Sequence, residues 1–134
     1  MTTTLLTRIG TGALVAGLAV GVLSGGPVSA KGSDGRVEKR GTCTSGATWK
    51  LKGKHDDGRL EVEWEVDSNR VGQTWNVLLT DNGATVFTGT RRTVAPSGSF
   101  EVERRIADRA GADVIRATST NPATGQRCAA SITV

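Results

Sequence analysis

The side chains that could do chemistry in this chain are few and scattered. His55 is the single histidine, and it stands beside Asp56-Asp57-Gly58. A histidine can act as a general base or bind a metal, but both roles need convergent partners. Asp-Gly is instead a strong signal for a hairpin turn, and no Gly-x-Ser-x-Gly nucleophile motif occurs. We therefore interpret His55 as a turn residue and predict no catalytic residue.

Three carboxylates, Glu61, Glu63 and Glu65, alternate along one segment. Paired carboxylates are what glycosidases use. Here each glutamate is expected to have a lysine opposite on the neighbouring strand, which is typical of a solvated sheet face. The structural interpretation is therefore favoured over a catalytic one.

The segment Asp67–Gly72 begins like a calcium-binding loop, with Asp, Asn and Gly at positions 1, 3 and 6. Position 5 is Val71 and position 12 is Leu78, so two ligands of that loop are missing. We interpret the segment as a connection between strands and Asp81-Asn82-Gly83 as another turn. The sequence predicts no metal site and no cofactor.

Two adjacent basic pairs, Arg91-Arg92 and Arg104-Arg105, stand out from otherwise interleaved charges. Strand alternation sends the two members of each pair to opposite faces. They form either ordinary solvated positions or a local patch for an anion or an acidic partner. The formal net charge of the whole chain is only +4, so we expect no nucleic-acid binding.

Cys43 and Cys128 are the only cysteines. An even pair in an oxidising compartment predicts one disulfide. Two cysteines so far apart, with one distant histidine, lack the spacing of zinc ligands.

Residues 1–30 have the pattern of a secretory signal peptide. Arg8 supplies a positive charge, Ala13 to Leu23 is an uncharged apolar run, and Val28-Ser29-Ala30 offers a cleavage site. The apolar run is shorter than the roughly 20 residues that span a bilayer. We expect cleavage after Ala30, secretion to the extracellular space, and no membrane anchor in the mature chain.

Hydrophobic residues alternate with polar ones along most of the remaining chain, with turn signals about every 8–12 residues, the spacing of sandwiches and barrels. In the hairpin centred on Asp57-Gly58, a two-residue loop places Leu51 opposite Trp64, and a four-residue loop shifts the pairs by two. A second hairpin at Asn82-Gly83 is predicted to place Leu79 opposite Val86 and Leu78 opposite Phe87. The Leu78/Phe87 pair is either covered by a neighbouring element or a small exposed apolar patch.

These patterns predict a polar, flexible lead-in at residues 31–35. They then predict an all-β, immunoglobulin-like antiparallel β-sandwich of about 7–8 strands over residues 36–134. The usual Cys…Trp…Cys spacing of immunoglobulin domains does not fit, because Trp49 follows Cys43 too closely. The predicted disulfide therefore joins terminal strands.

From Gly41 to Val134 the chain resembles small secreted proteins of high-GC Gram-positive (actinobacterial) bacteria without an assigned function. The resembling stretches include GTCTSGATWKLK, DDGRLEVEWEVDSN, GQTWNVLLTDNG and PSGSFEVERRIADRAGAD. The resemblance implies a secreted β-domain with a single disulfide, and it implies no catalytic residue. A looser, purely architectural likeness is to the enediyne-chromophore apoproteins, which have two disulfides.

The leading functional hypothesis is a secreted, non-enzymatic binding module, expected to be monomeric, for an extracellular or cell-surface partner. The alternatives are a carrier with a small-ligand pocket between the sheets and a hydrolase that uses His55. A cavity lined by Trp49, Trp64 or Trp75 would favour the carrier, and a nucleophile beside His55 would favour the enzyme.

Overall fold

A computed structural model describes residues 28–31 and 35–134 of the chain. Most of the predicted signal peptide and most of the predicted lead-in lie outside these residues. The predicted cleavage position, between Ala30 and Lys31, falls within the first described strand, β1. Cleavage there would remove most of β1 and leave β2 as the strand at that edge of its sheet.

Alternating apolar and polar residues give nine β-strands along the described chain. They are β1 Val28–Lys31, β2 Val37–Thr42, β3 Thr48–Asp56, β4 Arg59–Asp67, β5 Thr74–Asp81, β6 Ala84–Arg92, β7 Ser99–Ala107, β8 Val114–Thr120 and β9 Arg127–Thr133. Eight of them, β2 to β9, lie within residues 36–134, as the sequence predicts. The segment after Asp67 connects β4 to β5, also as predicted.

The strands form two antiparallel sheets. The first sheet has the order β1-β2-β3-β4-β7, and the second sheet has the order β6-β5-β8-β9. The chain crosses between the sheets from β4 to β5, from β6 to β7 and from β7 to β8, while β4 neighbours β7 and β5 neighbours β8. Strands B, C, E and F of immunoglobulin domains are arranged in this way, so the predicted immunoglobulin-like sandwich is confirmed.

The first hairpin joins β3 to β4 through the two-residue turn Asp57-Gly58. Both turn residues have positive φ, 48° and 70°, as a type I′ turn requires. Leu51 lies opposite Trp64, and Lys50, Lys52 and Lys54 lie opposite Glu65, Glu63 and Glu61. The two-residue alternative is therefore correct, and His55 belongs to β3, opposite Leu60, rather than to the turn.

The register predicted for the second hairpin is wrong. The turn lies at Asn82-Gly83 as expected, but an irregularity between Leu79 and Thr80 shifts the pairing by one residue. Leu79 therefore lies opposite Phe87, and Leu78 lies opposite Thr88. A β-bulge has this effect because its extra residue has no partner. Leu78 is exposed, whereas Phe87 packs against the core, so the two do not form one apolar patch.

The core lies between the two sheets and consists of the inward-facing residues of both. Trp64 on β4 and Trp75 on β5 are its largest fully buried members. Trp64 packs beside Trp49, with ring centroids 5.8 Å apart, and Trp75 packs beside Phe100 at 6.1 Å. Two tryptophans on the central strands thus fill the interior of a domain that has few aromatic residues.

Candidate functional site

The predicted disulfide is present between Cys43 and Cys128. Cys43 lies in the connection after β2, and Cys128 lies in β9, so the bond joins the first sheet to the second. Both cysteines are buried. Thr44 adds a second link here, because its hydroxyl accepts a hydrogen bond of 2.8 Å from the backbone N–H of Arg127. The bond ties strands near the two ends of the domain, as the sequence predicts.

The lysine and glutamate face of the first sheet is less solvated than the sequence suggests. Glu63 is only 8% exposed. Lys52 Nζ lies 2.6 Å from one of its carboxylate oxygens, and Lys50 Nζ lies 3.0 Å from the other. The two lysines cover Glu63 from β3, while Glu103 lies opposite it on β7. The expectation of a fully solvated ladder is therefore wrong at its central position.

The charges around Glu63 set its pKa. Burial raises the pKa of the Glu63 carboxyl, but hydrogen bonds from Lys52 and Lys50 outweigh this and hold the pKa below its ordinary value. The hydrogen bond to Glu63 in turn raises the pKa of Lys50. Glu101, on β7, lacks such donors, and its pKa is raised by burial, by Glu103 and by Glu63. Glu63 is thus ionised and paired at neutral pH.

We expect Glu63→Gln to lower the free energy of unfolding at pH 7 by about 1–2 kcal/mol, because it weakens two charge-assisted hydrogen bonds. The native pKa lies below the ordinary value of 4.5. The stabilisation is therefore present above pH 4.5 and is lost as the pH falls through the native pKa. Urea unfolding of both proteins between pH 7 and pH 3 should show their stabilities converging on the acid side.

Glu61→Gln is the matched control for this prediction. Glu61 lies opposite Lys54, but no ion pair within 4.0 Å joins them in the described structure. Its replacement should change the free energy of unfolding by less than about 0.5 kcal/mol. Equal effects of the two substitutions would contradict a special role for Glu63.

The three carboxylates Glu63, Glu65 and Glu101, here called the glutamate cluster, offer oxygens within 4.8 Å of one another. A metal ion could use such a set, but lysines already supply the positive charge. Lys50 Nζ is 3.0 Å from Glu63 and 3.6 Å from Glu65. These ion pairs compensate the charge of Glu63 and Glu65 without a metal.

His55 has one partner in the described structure. Its Nδ1 lies 2.9 Å from Asp108 Oδ2, which is how a catalytic histidine is often oriented. The ring is exposed, however, and none of the hydroxyls in the described residues lies within hydrogen-bond distance of it. A hydrolase triad would also require a nucleophile beside such a pair.

Two arginines from the basic pairs meet at one aromatic ring. The guanidinium carbon of Arg91 lies 4.8 Å from the centroid of the Phe87 ring, and that of Arg104 lies 4.4 Å from it. Arg91 and Phe87 belong to β6, whereas Arg104 belongs to β7. We call these three residues the Arg–Phe cluster. They lie where β6, at one edge of the second sheet, approaches β7, at one edge of the first sheet.

Strand pairing explains how this cluster forms. Arg91 lies opposite Trp75, and Arg104 lies opposite Val62. Both partners are buried, so both arginines start from inward-facing positions, and both residues are half-buried. Gly89 makes room for the ring, because a Cβ there would lie 3.2 Å from Phe87 Cζ. The sequence predicts that one arginine of each basic pair faces inward. It does not predict that these two arginines meet at the Phe87 ring.

Sequence reasoning missed a group of buried acids. Asp81, at the end of β5, is 1% exposed, and Asp113, just before β8, is 0% exposed. Asp108 lies half-buried in the β7–β8 connection. We call these three residues the aspartate cluster. Asp81 precedes Asn82-Gly83 and is typical of a turn in sequence, although it also continues the inward-facing alternation of β5.

The carrier hypothesis requires a pocket between the sheets. Two surface depressions of about 380 and 390 Å³ are each lined by residues of one sheet only. Trp49 contributes to the first, but the other lining residues are outward-facing or backbone positions of β2, β3 and β4. Trp64 and Trp75 fill the space between the sheets instead. These two depressions therefore lie on the outer faces of single sheets rather than between the sheets.

Within the described residues, no helix has the length and apolar character needed to cross a membrane.

The fold and these sites define the chain as an immunoglobulin-like β-sandwich with a single disulfide. No protein-family model, curated protein or solved structure significantly matches it. What can be said about its function therefore follows from its own residues.

Proposed function

We propose that the protein is a secreted, non-enzymatic binding module whose partner presents anionic groups to the Arg–Phe cluster. The observation that carries this proposal is the convergence of Arg91 and Arg104 on the ring of Phe87. The disulfide supports secretion, because disulfides persist in oxidising compartments.

Both guanidinium groups have hydrogen-bonding capacity to spare. Arg91 donates a hydrogen bond of 3.0 Å to the carbonyl of Thr90, and Arg104 donates one of 3.3 Å to the carbonyl of Glu103. Each guanidinium carries five N–H donors. In the part of the chain that the structure describes, no carboxylate lies within 4.0 Å of either group.

The aromatic ring prepares these two cations for a ligand. Stacking on Phe87 fixes the guanidinium groups, so less conformational entropy is lost when they bind. Arginine matches carboxylate and phosphate groups through paired N–H donors. Two like charges near one ring also repel each other, and a bound anionic group relieves that repulsion. The cluster is therefore suited to an acidic partner.

We expect the purified protein to bind a hexaglutamate peptide at low salt and not a hexalysine peptide. The double variant Arg91→Gln, Arg104→Gln should bind hexaglutamate about 10- to 100-fold more weakly, because it loses charge-assisted hydrogen bonds. Isothermal titration calorimetry measures both affinities. Added salt should weaken binding by the parent protein, because exposed charges are screened.

A variant with an arginine removed elsewhere tests whether the position matters. Arg116 is exposed on β8, outside the cluster, so Arg116→Gln lowers the net charge without altering the proposed site. It should retain most of the affinity. If Arg116→Gln and Arg104→Gln weaken binding equally, the attraction is only that of net charge. If the parent protein does not bind hexaglutamate, the proposal of an acidic partner fails.

A further inference from the structure

The outer face of the second sheet differs in charge from that of the first sheet. Asp81 is the single acidic residue in strands β5, β6, β8 and β9, and it is buried. The first sheet, by contrast, carries paired lysines and glutamates on its outer face. The strands of the second sheet therefore present hydroxyl, amide, apolar and arginine side chains to solvent, without a carboxylate.

Six outward residues of the second sheet line the depression of about 390 Å³ on that sheet. They belong to β6, β5 and β8, which are neighbours in this order. Strand register places them in two adjacent rows, the first of Thr90, Asn76 and Thr120 and the second of Thr88, Leu78 and Thr118. We call these six residues the threonine patch.

The polar side chains of the threonine patch are free to bind a ligand. Within the described residues, neither its four hydroxyls nor the side-chain amide of Asn76 forms a hydrogen bond. Thr118 is half-buried, and the other polar members are exposed. A threonine hydroxyl both donates and accepts hydrogen bonds. Its β-branched side chain has few rotamers, so binding costs little conformational entropy.

Leu78 gives the patch an apolar centre. Its side chain is 40% exposed and lies between Thr88 and Thr118 on the neighbouring strands. A sugar ring presents both C–H groups and hydroxyls. It can therefore pack against Leu78 and the threonine methyl groups while its hydroxyls bond to those around them, as small-ligand sites combine apolar contacts with a few polar ones.

Two exposed arginines flank the first row of the patch. Arg127 on β9 lies opposite Thr120 and continues the row. Arg92 stands two residues after Thr90 and faces the same side of β6. In the part of the chain that the structure describes, neither guanidinium group forms an ion pair or a hydrogen bond. The margin of the patch is therefore positively charged.

We propose that the threonine patch binds a glycan chain that carries carboxylate groups. The patch contacts the sugar hydroxyls and C–H groups, and Arg92 and Arg127 pair with the carboxylates. A second copy of this chain is a poorer occupant, because a symmetric pair would bring the arginines of two molecules together without a carboxylate between them. The proposal goes beyond the binding of acidic groups by the Arg–Phe cluster, since it uses other residues.

Titration with a hyaluronan hexasaccharide tests this proposal, because acidic and neutral sugars alternate along that chain. We expect the amide signals of β5, β6 and β8 around the patch to shift in two-dimensional NMR spectra at low salt. Chitohexaose, which has no carboxylate, should bind at least about tenfold more weakly. Unchanged signals at the patch, or equal affinity for chitohexaose, would overturn the proposal.

Threonine-to-valine variants test the hydroxyls. The double variant Thr88→Val, Thr120→Val keeps the side-chain shape but removes two hydroxyls, so it should bind the hexasaccharide about tenfold more weakly. The matched control is Thr42→Val, Thr48→Val, which makes the same change at exposed positions of the first sheet. It should keep the parent affinity. Equal affinities of the two double variants contradict binding at the patch.

Arginine variants provide a test that does not depend on the folding of the valine variants. Arg92→Gln, Arg127→Gln should weaken hexasaccharide binding at least about tenfold. Lys54→Gln, Arg105→Gln removes the same charge from the first sheet and should retain most of the affinity. If both weaken binding equally, the attraction is that of net charge and the proposal fails. Neither variant alters the Arg–Phe cluster, so the two proposals can fail separately.

Discussion

Replacing Trp64 by alanine should lower the free energy of unfolding by about 3–5 kcal/mol. Trp64 is fully buried at the middle of β4, where it lies between Leu51 on β3 and Val102 on β7. Its Nε1 donates a hydrogen bond of 2.7 Å to Oγ of Ser119 on the opposite sheet. The substitution therefore leaves a cavity and also removes the partner of a buried hydroxyl. Urea unfolding followed by circular dichroism measures the loss.

Two further variants separate the contributions of packing and hydrogen bonding. Trp64→Phe retains an aromatic ring but cannot donate to Ser119, so we expect it to cost less, about 1–3 kcal/mol. Val71→Ala removes methyl groups from a side chain that is 59% exposed, and it should cost less than about 0.5 kcal/mol. If Trp64→Ala unfolds at the same urea concentration as the parent, the core assigned here is wrong.

Removing the disulfide should have an effect of similar size. The bond closes a loop with a sequence separation of 85 residues, for which the chain-entropy description gives about 4 kcal/mol. We expect the double variant Cys43→Ala, Cys128→Ala to lose roughly this much stability while keeping the same sandwich. The reason is that the unfolded chain of the variant, which has no cross-link, gains conformational freedom, whereas the folded chain keeps its strand pairs.

Mass spectrometry provides the companion measurement for the disulfide. Protein collected from the culture medium without reductant should be two hydrogens lighter than the reduced chain. Two free thiols in that material, or a double variant as stable as the parent, would contradict a stabilising bond between Cys43 and Cys128.

The first hairpin shows how far local sequence can predict this fold. Asp57-Gly58 specifies the turn, and the alternation of Trp49 and Leu51 with lysines specifies the inward face. Turn and alternation together predict which strands pair and which face is inward, but they allow both a two-residue and a four-residue loop, and the structure has the two-residue loop.

The second hairpin shows where that reasoning ends. The irregularity between Leu79 and Thr80 shifts the pairing of β5 with β6 by one residue. A bulge of this kind depends on what packs against the strand, and no residue type in the segment marks it. The aspartate cluster was missed for a different reason: alternation places Asp81 on the inward face of β5, but Asp113 is about thirty residues from it in sequence.

The Arg–Phe cluster could be predicted only in part from the sequence. Alternation predicts that one arginine of each pair faces inward. Which strands form the outer edges of the two sheets, and which edges meet, depends on the crossing connections between them. Only the assembled sandwich shows that Arg91 and Arg104 share the ring of Phe87.

The inward arginines on β6 and β7 have a consequence for how the protein behaves at high concentration. Each of these strands leaves one row of backbone N–H and C=O groups unpaired, and such rows can template aggregation by pairing with a second molecule. A strand added at either edge would cover Arg91 or Arg104 and force a guanidinium group out of water without a carboxylate partner. That desolvation is costly, so the arginines discourage the addition of a second molecule at these two edges.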